Sequence, residues 1–113
     1  MNQHEVQLPE EPAIADFQVY IAAIVRARGF DQRNIAQLFL LFFEECGELA
    51  HAIRSDADKA HIAHELADIS MYLCDISNYF AIDLERAVRQ RLYDFKNCGI
   101  ENADELAKKS SSL

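Results

Sequence analysis

Residues 42–72 decide the fold, and they read FFEECGELAHAIRSDADKAHIAHELADISMY. Two apolar runs with helical spacing flank a short polar turn, and each run carries two acids three residues apart: Glu45 with Glu48, and Glu65 with Asp68. Residues three or four apart lie on one face of a helix, so each pair brings two carboxylates together, at a cost of roughly 0.2–0.5 kcal/mol per exposed pair. A hard divalent cation such as Mg²⁺, which prefers carboxylate oxygens, would remove that repulsion.

The turn at residues 55–58 is short, so the helices before and after it are predicted to pack as antiparallel neighbours. Glu48 lies about seven residues before the turn and Glu65 about seven after it. With a rise of about 1.5 Å per residue, the two acids come to similar heights on antiparallel helices. The sequence therefore predicts that the two carboxylate pairs face each other. The alternative for any single E-x-x-E is a solvated acidic face.

The rest of the chain favours an all-α protein. Of 113 residues only three are Gly and two are Pro, half are hydrophobic, and the alternation typical of strands is almost absent. One domain with one core suits this length. We predict a helical bundle of four main helices at residues 12–99, after a flexible lead-in at 1–11 and before a C-terminal tail at 100–113.

Local signals predict where the first two helices begin and end. Pro12 suits the first position of helix one, which should end at Gly29. Helix two should be capped by Asp31 or by Asn34, the latter with Gln37 as its capping-box partner.

The last two helices have similar signals. Asp56 or Asp58 can cap helix three, which should end near residue 80 or 81. Asp83 should cap helix four, which should end before Gly99.

Charge and composition argue against several classes of partner. The formal net charge of −8 does not suit nucleic acid, whose recognition depends on clustered Lys and Arg. No apolar run is long enough for a membrane span and the first ten residues do not resemble a signal peptide, so we expect a cytoplasmic protein. Cys46, Cys74 and Cys98 lack C-x-x-C spacing and are predicted to be reduced packing residues.

The carboxylate pairs resemble the signature of MazG-type all-α nucleoside triphosphate pyrophosphohydrolases, E-E-x-x-E followed downstream by E-x-x-D. Here these motifs are Glu44-Glu45-Cys46-Gly47-Glu48 and Glu65-Leu66-Ala67-Asp68. The segments Ile82-Asp83-Leu84 and Ala87-Val88 also look like core segments of the family, and the resemblance extends over about residues 29–96.

The resemblance implies a Mg²⁺-dependent enzyme, with Mn²⁺ as a substitute, that cleaves a nucleoside triphosphate between the α and β phosphates as nucleotide-pool house-cleaning. It implies that Glu45, Glu48, Glu65 and Asp68 bind the metal. Glu44 belongs to the same motif as a catalytic candidate, and it would either bind a further metal or orient the attacking water.

The resemblance also suggests residues that contact the substrate. Arg91 stands where family members commonly have Lys and is the first phosphate-binding candidate, followed by Lys96 and Lys59. Phe30 lies where many members have a base-holding Trp, and Phe95 stands where an Asn is often found. These two departures concern the choice of nucleotide rather than the metal motif.

The expected partners are a nucleoside triphosphate and a second copy of the chain, as a homodimer or homotetramer. Two rival functions stay open at this point: a related hydrolase acting on another phosphoanhydride, such as a phosphoribosyl nucleotide, and a non-catalytic helical protein that binds metal or nucleotide. His61 and His64 precede Glu65 by four residues and one. They are expected to be exposed polar residues, although His61 could share the metal-binding face.

Overall fold

A computed structural model describes residues 6–97 of the chain. In that part every regular element is helical, and no strand occurs. The elements are α1 (Ile14–Ala27), a 3-10 helix (Phe30–Gln32), α2 (Ile35–Arg54), α3 (Lys59–Tyr79) and α4 (Leu84–Asn97). The predicted all-α class with four main helices is therefore confirmed. Cys98, Gly99 and the predicted tail lie outside the described residues.

The helices begin where polar side chains satisfy free backbone N–H groups. At α2, the Asn34 side chain accepts a hydrogen bond from the Gln37 N–H at 2.9 Å and the Gln37 side chain accepts one from the Asn34 N–H at 3.2 Å. At α3, Asp58 accepts from the His61 N–H at 2.9 Å. These caps are among the predicted alternatives.

The predicted first position of α1 is wrong by two residues. Pro12 precedes the cap residue Ala13, and α1 begins at Ile14. The reason is local: the Asp16 carboxylate accepts a hydrogen bond from the Ala13 N–H at 2.8 Å, which fixes the start of the helix at that point.

Three helices end with a residue in the left-handed backbone conformation: Gly29 (φ 70°), Asp56 (φ 57°) and Ala81 (φ 54°). After α3, the Ile82 N–H donates to the Ser77 carbonyl at 2.8 Å and the Ala81 N–H to Asn78 at 3.1 Å. This is the Schellman pattern, and the end of α2 has it too. These turns reverse the chain within a few residues, so α2 is followed directly by α3.

The chain divides into two compact units, Met1–Asp83 and Leu84–Leu113. In the first unit, α3 packs against both α2 and α1. Arg33, just before α2, pairs with Asp75 late in α3, whereas Glu45 in the middle of α2 lies near Glu65 early in α3. Later residues of α2 thus meet earlier residues of α3, as in an antiparallel pair.

The core of the described residues is small. Its buried apolar side chains are Ile21, Leu38, Ala52 and Cys74. Burial raises the pKa of the Cys74 thiol, and both Cys74 and the half-buried Cys46 are free, as predicted for packing residues. Many large apolar side chains of the described residues remain exposed on this single chain.

Candidate metal centre

Three acids from α2 and α3 come together in the middle of the first unit. One carboxylate oxygen from each of Glu45, Glu65 and Asp68 lies within 4.8 Å of the other two. Glu65 is only 7 % exposed, and the other two acids are half-buried. The hairpin therefore brings Glu45 of α2 next to two acids of α3 that follow it by 20 and 23 residues, in a place that is only partly open to solvent.

Within residues 6–97, two oxygens in this cluster have no hydrogen-bond partner. They are Oε2 of Glu45 and Oε2 of Glu65, both fully buried. An unsatisfied buried polar group costs about 1–3 kcal/mol, and more if it is charged. A hard cation bound by oxygen ligands satisfies such atoms, so this donor set fits Mg²⁺ or a similar ion.

The electrostatics of Glu45 agree with this interpretation. Burial raises the pKa of Glu45 above 4.5, and three neighbouring acids raise it further: Glu48, by repulsion and a shared hydrogen bond, Asp68 and Glu65. Like charges in a desolvated site oppose ionisation, whereas a cation reverses that effect. Glu48 itself is exposed, and its effect on the cluster is to raise the pKa of Glu45.

Two histidines flank the outer side of the cluster. His61 Nε2 lies 3.3 Å from Glu65 Oε1, and His64 Nε2 lies 3.3 Å from Asp68 Oδ2. Both histidines are exposed, as predicted. Since His61 contacts Oε1 of Glu65, the two oxygens of that carboxylate have different surroundings: one meets an imidazole, and the other is buried without a partner.

A cavity of about 250 Å³ adjoins the cluster, and Glu45 and Asp68 form part of its lining. Apolar side chains from α1 and α3 line another part: Ile21, Ile24, Val25 and Met71. A small molecule in this cavity would therefore contact both carboxylates and an apolar surface, which is the usual composition of a ligand pocket.

The remaining lining comes from the corner between α1 and α2 and from the same face of α3. Phe30, the predicted base-binding residue, lines the cavity and is 48 % exposed. Arg28, Arg33, Tyr72 and Asp75 line it as well. None of these four was among the predicted site residues.

Tyr72 is a polar group between the apolar lining and the carboxylates. Burial, followed by the nearby charge of Glu45, raises its pKa above 10.0. The phenol therefore stays protonated at neutral pH and can donate a hydrogen bond. Asp68, Tyr72 and Asp75 follow each other at spacings of four and three residues, so helical periodicity alone could have identified this face of α3.

The other predicted site residues lie outside the three-carboxylate group and the cavity lining. Glu44 is exposed on α2, next to Glu45, and Lys59 is exposed as the first residue of α3. Arg91 and Lys96 are exposed on α4, which belongs to the second unit.

No helix among the described residues is long and apolar enough to cross a membrane. A family model described as the MazG nucleotide pyrophosphohydrolase domain matches residues 33–94, more than half of the chain. The match begins at Arg33 and includes all four predicted metal ligands. Comparisons with curated proteins and with solved structures give no match.

Proposed function

Because the chain belongs to the MazG nucleotide pyrophosphohydrolase family, we propose that it hydrolyses a nucleoside or deoxynucleoside triphosphate to the monophosphate and pyrophosphate. The reaction would serve to clear nucleotides from the cellular pool. The family accounts for the general activity, while the triphosphate, the metal and the roles of individual residues are part of the proposal.

One observation carries the proposal: two fully buried carboxylate oxygens without partners, from Glu45 and Glu65, in a cluster that opens into a cavity. A purely structural acidic surface would expose these oxygens to water. Burying them costs free energy, and a bound cation would recover it while both carboxylates stay ionised. A cation beside a cavity suits a substrate that carries several phosphate charges.

The proposed metal is Mg²⁺, with Mn²⁺ as a substitute. Glu45, Glu65 and Asp68 would hold it, with Glu48 as a fourth carboxylate beside Glu45. Mg²⁺ favours six oxygen ligands and usually retains positions for water and phosphate, so a few carboxylates suffice. When bound, the ion neutralises phosphate charge and makes a bound water a better nucleophile.

The cavity lining supports a division of roles among the chain's own side chains. The apolar surface of Ile21, Ile24 and Met71 would accept the base and exclude water from it. Tyr72, held protonated by its buried position beside Glu45, would donate a hydrogen bond to the bound nucleotide. Arg28 would offer a positive charge to its phosphates.

Several residues are proposed on the family resemblance. Glu44 would orient the attacking water or bind a further metal, and a Glu44→Gln variant that lowers kcat while leaving Mg²⁺ affinity unchanged would favour the first role. We propose three phosphate contacts: Arg91, Lys96 and Lys59. All three side chains are exposed on helices and are therefore accessible to a ligand.

We also propose that a second copy of the chain covers part of α2, giving a homodimer or a homotetramer. Phe39, Leu40 and Phe43 are 47 %, 65 % and 56 % exposed on the single chain, and the rings of Phe39 and Phe43 contact each other at 4.8 Å between centroids. Contiguous apolar surface of this kind usually marks a protein interface. Sedimentation at several protein concentrations would test it, and a monomer at all of them would contradict it.

The activity is tested by pyrophosphate release from a panel of ribo- and deoxyribonucleoside triphosphates with Mg²⁺, extended with a phosphoribosyl nucleotide. We expect turnover of at least one triphosphate, and its loss on addition of EDTA. Glu45→Gln and Glu65→Gln should each lower kcat by about 100-fold, since the loss of even an outer-shell partner of a metal commonly costs 10- to 100-fold in affinity or activity.

The matched control is Glu11→Gln, which removes an exposed acid outside the helices and should leave turnover unchanged. Mg²⁺ titrations followed by calorimetry should show binding to the wild-type protein and to this control, but weak binding to the two site variants. Full activity of Glu45→Gln combined with Glu65→Gln, or no turnover of any triphosphate by the wild-type protein, would refute the proposed function.

A further inference from the structure

Two histidines and two acids lie on one face of α3. The acids Glu65 and Asp68 and the histidines His61 and His64 are spaced by three, four and seven residues, which follows the helical repeat. His61 Nε2 lies 3.3 Å from Glu65 Oε1, and His64 Nε2 lies 3.3 Å from Asp68 Oδ2. Both acids that α3 contributes to the carboxylate cluster therefore have an imidazole beside one of their two oxygens.

Solvent exposure separates the histidines from the acids. The side chains of His61 and His64 are 56 % and 72 % exposed, whereas those of Glu65 and Asp68 are 9 % and 32 % exposed. The imidazoles thus lie on the solvent side of the carboxylates, and Glu45 lies on the other side, in the cluster. Replacing either imidazole should therefore leave the core of the described residues intact.

The two oxygens of Glu65 have different surroundings. Oε1 lies next to His61, while Oε2 is buried and has no hydrogen-bond partner within residues 6–97. A carboxylate turns easily about the last bond of its side chain, because that torsion is broad. An N–H group held at Oε1 would stop this rotation. It would keep Oε2 on the inner side, where Oε2 of Glu45 is also buried without a partner.

The backbone of His61 is itself held in place. Its N–H group donates to the Asp58 carboxylate at 2.9 Å, as part of the cap of α3. The imidazole therefore extends from a fixed point in the first helical turn to Glu65. Substitution of the side chain keeps the cap, because the cap uses a backbone group.

We propose that His61 and His64 are positioning residues, which hold the outer oxygens of Glu65 and Asp68 and so direct the inner oxygens of both acids at the bound cation. The inference rests on the proposed function only in requiring that the cluster binds Mg²⁺. The loss of such an outer partner commonly costs about 10- to 100-fold in metal affinity or activity. The effect should be larger at His61, because Glu65 is more buried than Asp68 and water replaces the imidazole less easily there.

Mg²⁺ titrations followed by calorimetry, without nucleotide, test the proposal on His61→Ala, His61→Gln and His61→Asn. The amide nitrogen of Gln stands as far along the side chain as Nε2 of histidine, and that of Asn stands as far as Nδ1. Since Nε2 makes the contact with Glu65, Gln should restore the contact and Asn should not. His51→Ala is the matched control, because His51 is exposed and forms no ion pair with an acid of residues 6–97.

The Mg²⁺ Kd should rise by about tenfold or more in His61→Ala and His61→Asn, by less in His64→Ala, and by at most about twofold in His61→Gln and the control. The Tm in EDTA should stay within about 4 °C of the wild-type value in all variants, because an exposed ion pair contributes little to stability. For any triphosphate that is turned over, His61→Gln should also recover kcat. A merely structural role of His61 would lower the Tm in EDTA and would not separate Gln from Asn.

An unchanged Mg²⁺ Kd in His61→Ala, equal Mg²⁺ affinities of the Gln and Asn variants, or no binding of Mg²⁺ to the wild-type protein would overturn the proposal. A parallel titration with Ni²⁺ separates a positioning residue from a direct ligand, because imidazole suits Ni²⁺ whereas Mg²⁺ prefers oxygen. If His61→Ala weakens the binding of Ni²⁺ and leaves that of Mg²⁺ unchanged, His61 is itself a ligand, which also overturns the proposal.

The same variants keep this proposal apart from the proposed function. Turnover of a triphosphate together with an unchanged Mg²⁺ Kd in His61→Ala would overturn the positioning role alone. The expected pattern of Mg²⁺ affinities in a protein that releases pyrophosphate from no triphosphate would refute the proposed function and leave the positioning role supported.

Discussion

Replacing Glu65 by Gln should stabilise the metal-free protein and destabilise the metal-bound one. Glu65 is 7 % exposed, its Oε2 has no partner, and it repels Glu45. A neutral amide of the same shape removes that repulsion and brings an N–H group that can donate to a neighbouring carboxylate. The same change removes one of the three clustered oxygen ligands.

The magnitudes follow from these two effects. An unsatisfied buried group costs about 1–3 kcal/mol, so without metal Glu65→Gln should be more stable than the wild-type protein by about 1–2 kcal/mol. A cation present at 100 times its Kd stabilises the folded state by about 2.7 kcal/mol. The wild-type protein should gain that amount from Mg²⁺, and the variant should gain little of it. The order of stability therefore reverses when Mg²⁺ is added.

Thermal unfolding followed by circular dichroism measures this reversal. For a chain of this size, 1 kcal/mol shifts the Tm by roughly 4 °C. In EDTA the variant should melt above the wild-type protein, and in saturating Mg²⁺ it should melt below it. Glu11→Gln serves as the control and should follow the wild-type protein under both conditions.

Two results would refute the reasoning. If Glu65→Gln lowers the Tm in EDTA, the carboxylate is satisfied without a metal, and the strain inferred from its unpaired oxygen does not exist. If saturating Mg²⁺ leaves the Tm of the wild-type protein unchanged, the cluster does not bind this ion. Either outcome is independent of whether any nucleotide is hydrolysed.

Three further predictions concern pH, the cavity and a helix end. The pKa of Glu45 is raised above 4.5 by burial and neighbouring acids, so the folded state holds this proton to higher pH than the unfolded state does. The metal-free protein should therefore lose stability as the pH rises from about 4.5 through that raised pKa. Thermal unfolding in EDTA that shows no such decline would contradict this prediction. Tyr72→Phe should raise the KM for the nucleotide by roughly twofold to tenfold, the effect of one hydrogen bond, with little change in Tm; an unchanged KM would remove Tyr72 from the site. Ala81→Gly should raise the free energy of unfolding by roughly 0.5–1 kcal/mol in urea titrations, since Ala81 has a φ of 54° that glycine adopts without strain. Ala63→Gly is the control, because glycine in the interior of α3 should lower the free energy of unfolding by about 1 kcal/mol.

Local features of the fold could be predicted from the sequence because their causes are local. The caps at Asn34 and Asp58 depend on side chains within three residues, and the end of α1 depends on the conformational freedom of Gly29. The predicted start of α1 is wrong because two local features compete for it. Both Pro12 and the Asp16 hydrogen bond can set a helix start, and here the hydrogen bond does so.

In the candidate site, too, contacts with a local cause could be predicted from the sequence, and contacts that depend on tertiary packing could not. The spacing within Glu65-Leu66-Ala67-Asp68 puts two acids on one face of α3, so their proximity could be derived from periodicity. The ion pair between Arg33 and Asp75 joins residues 42 positions apart. Nothing in the local sequence relates these two residues, because their contact depends on how α3 packs against the corner before α2. Only the tertiary structure could reveal this ion pair.

A single face of α3 carries both halves of the proposed site. Asp68 belongs to the carboxylate cluster, Tyr72 follows one turn later, and Asp75 lines the cavity and pairs with Arg33. At about 1.5 Å per residue, Asp75 lies about 10 Å along the helix from Asp68. A base resting near Asp75 would therefore leave room for its sugar and phosphates to reach the carboxylates past the Tyr72 hydroxyl. Because the two ends are separated by two helical turns, the double variant Arg33→Ala with Asp75→Ala should change nucleotide binding while Mg²⁺ affinity stays the same.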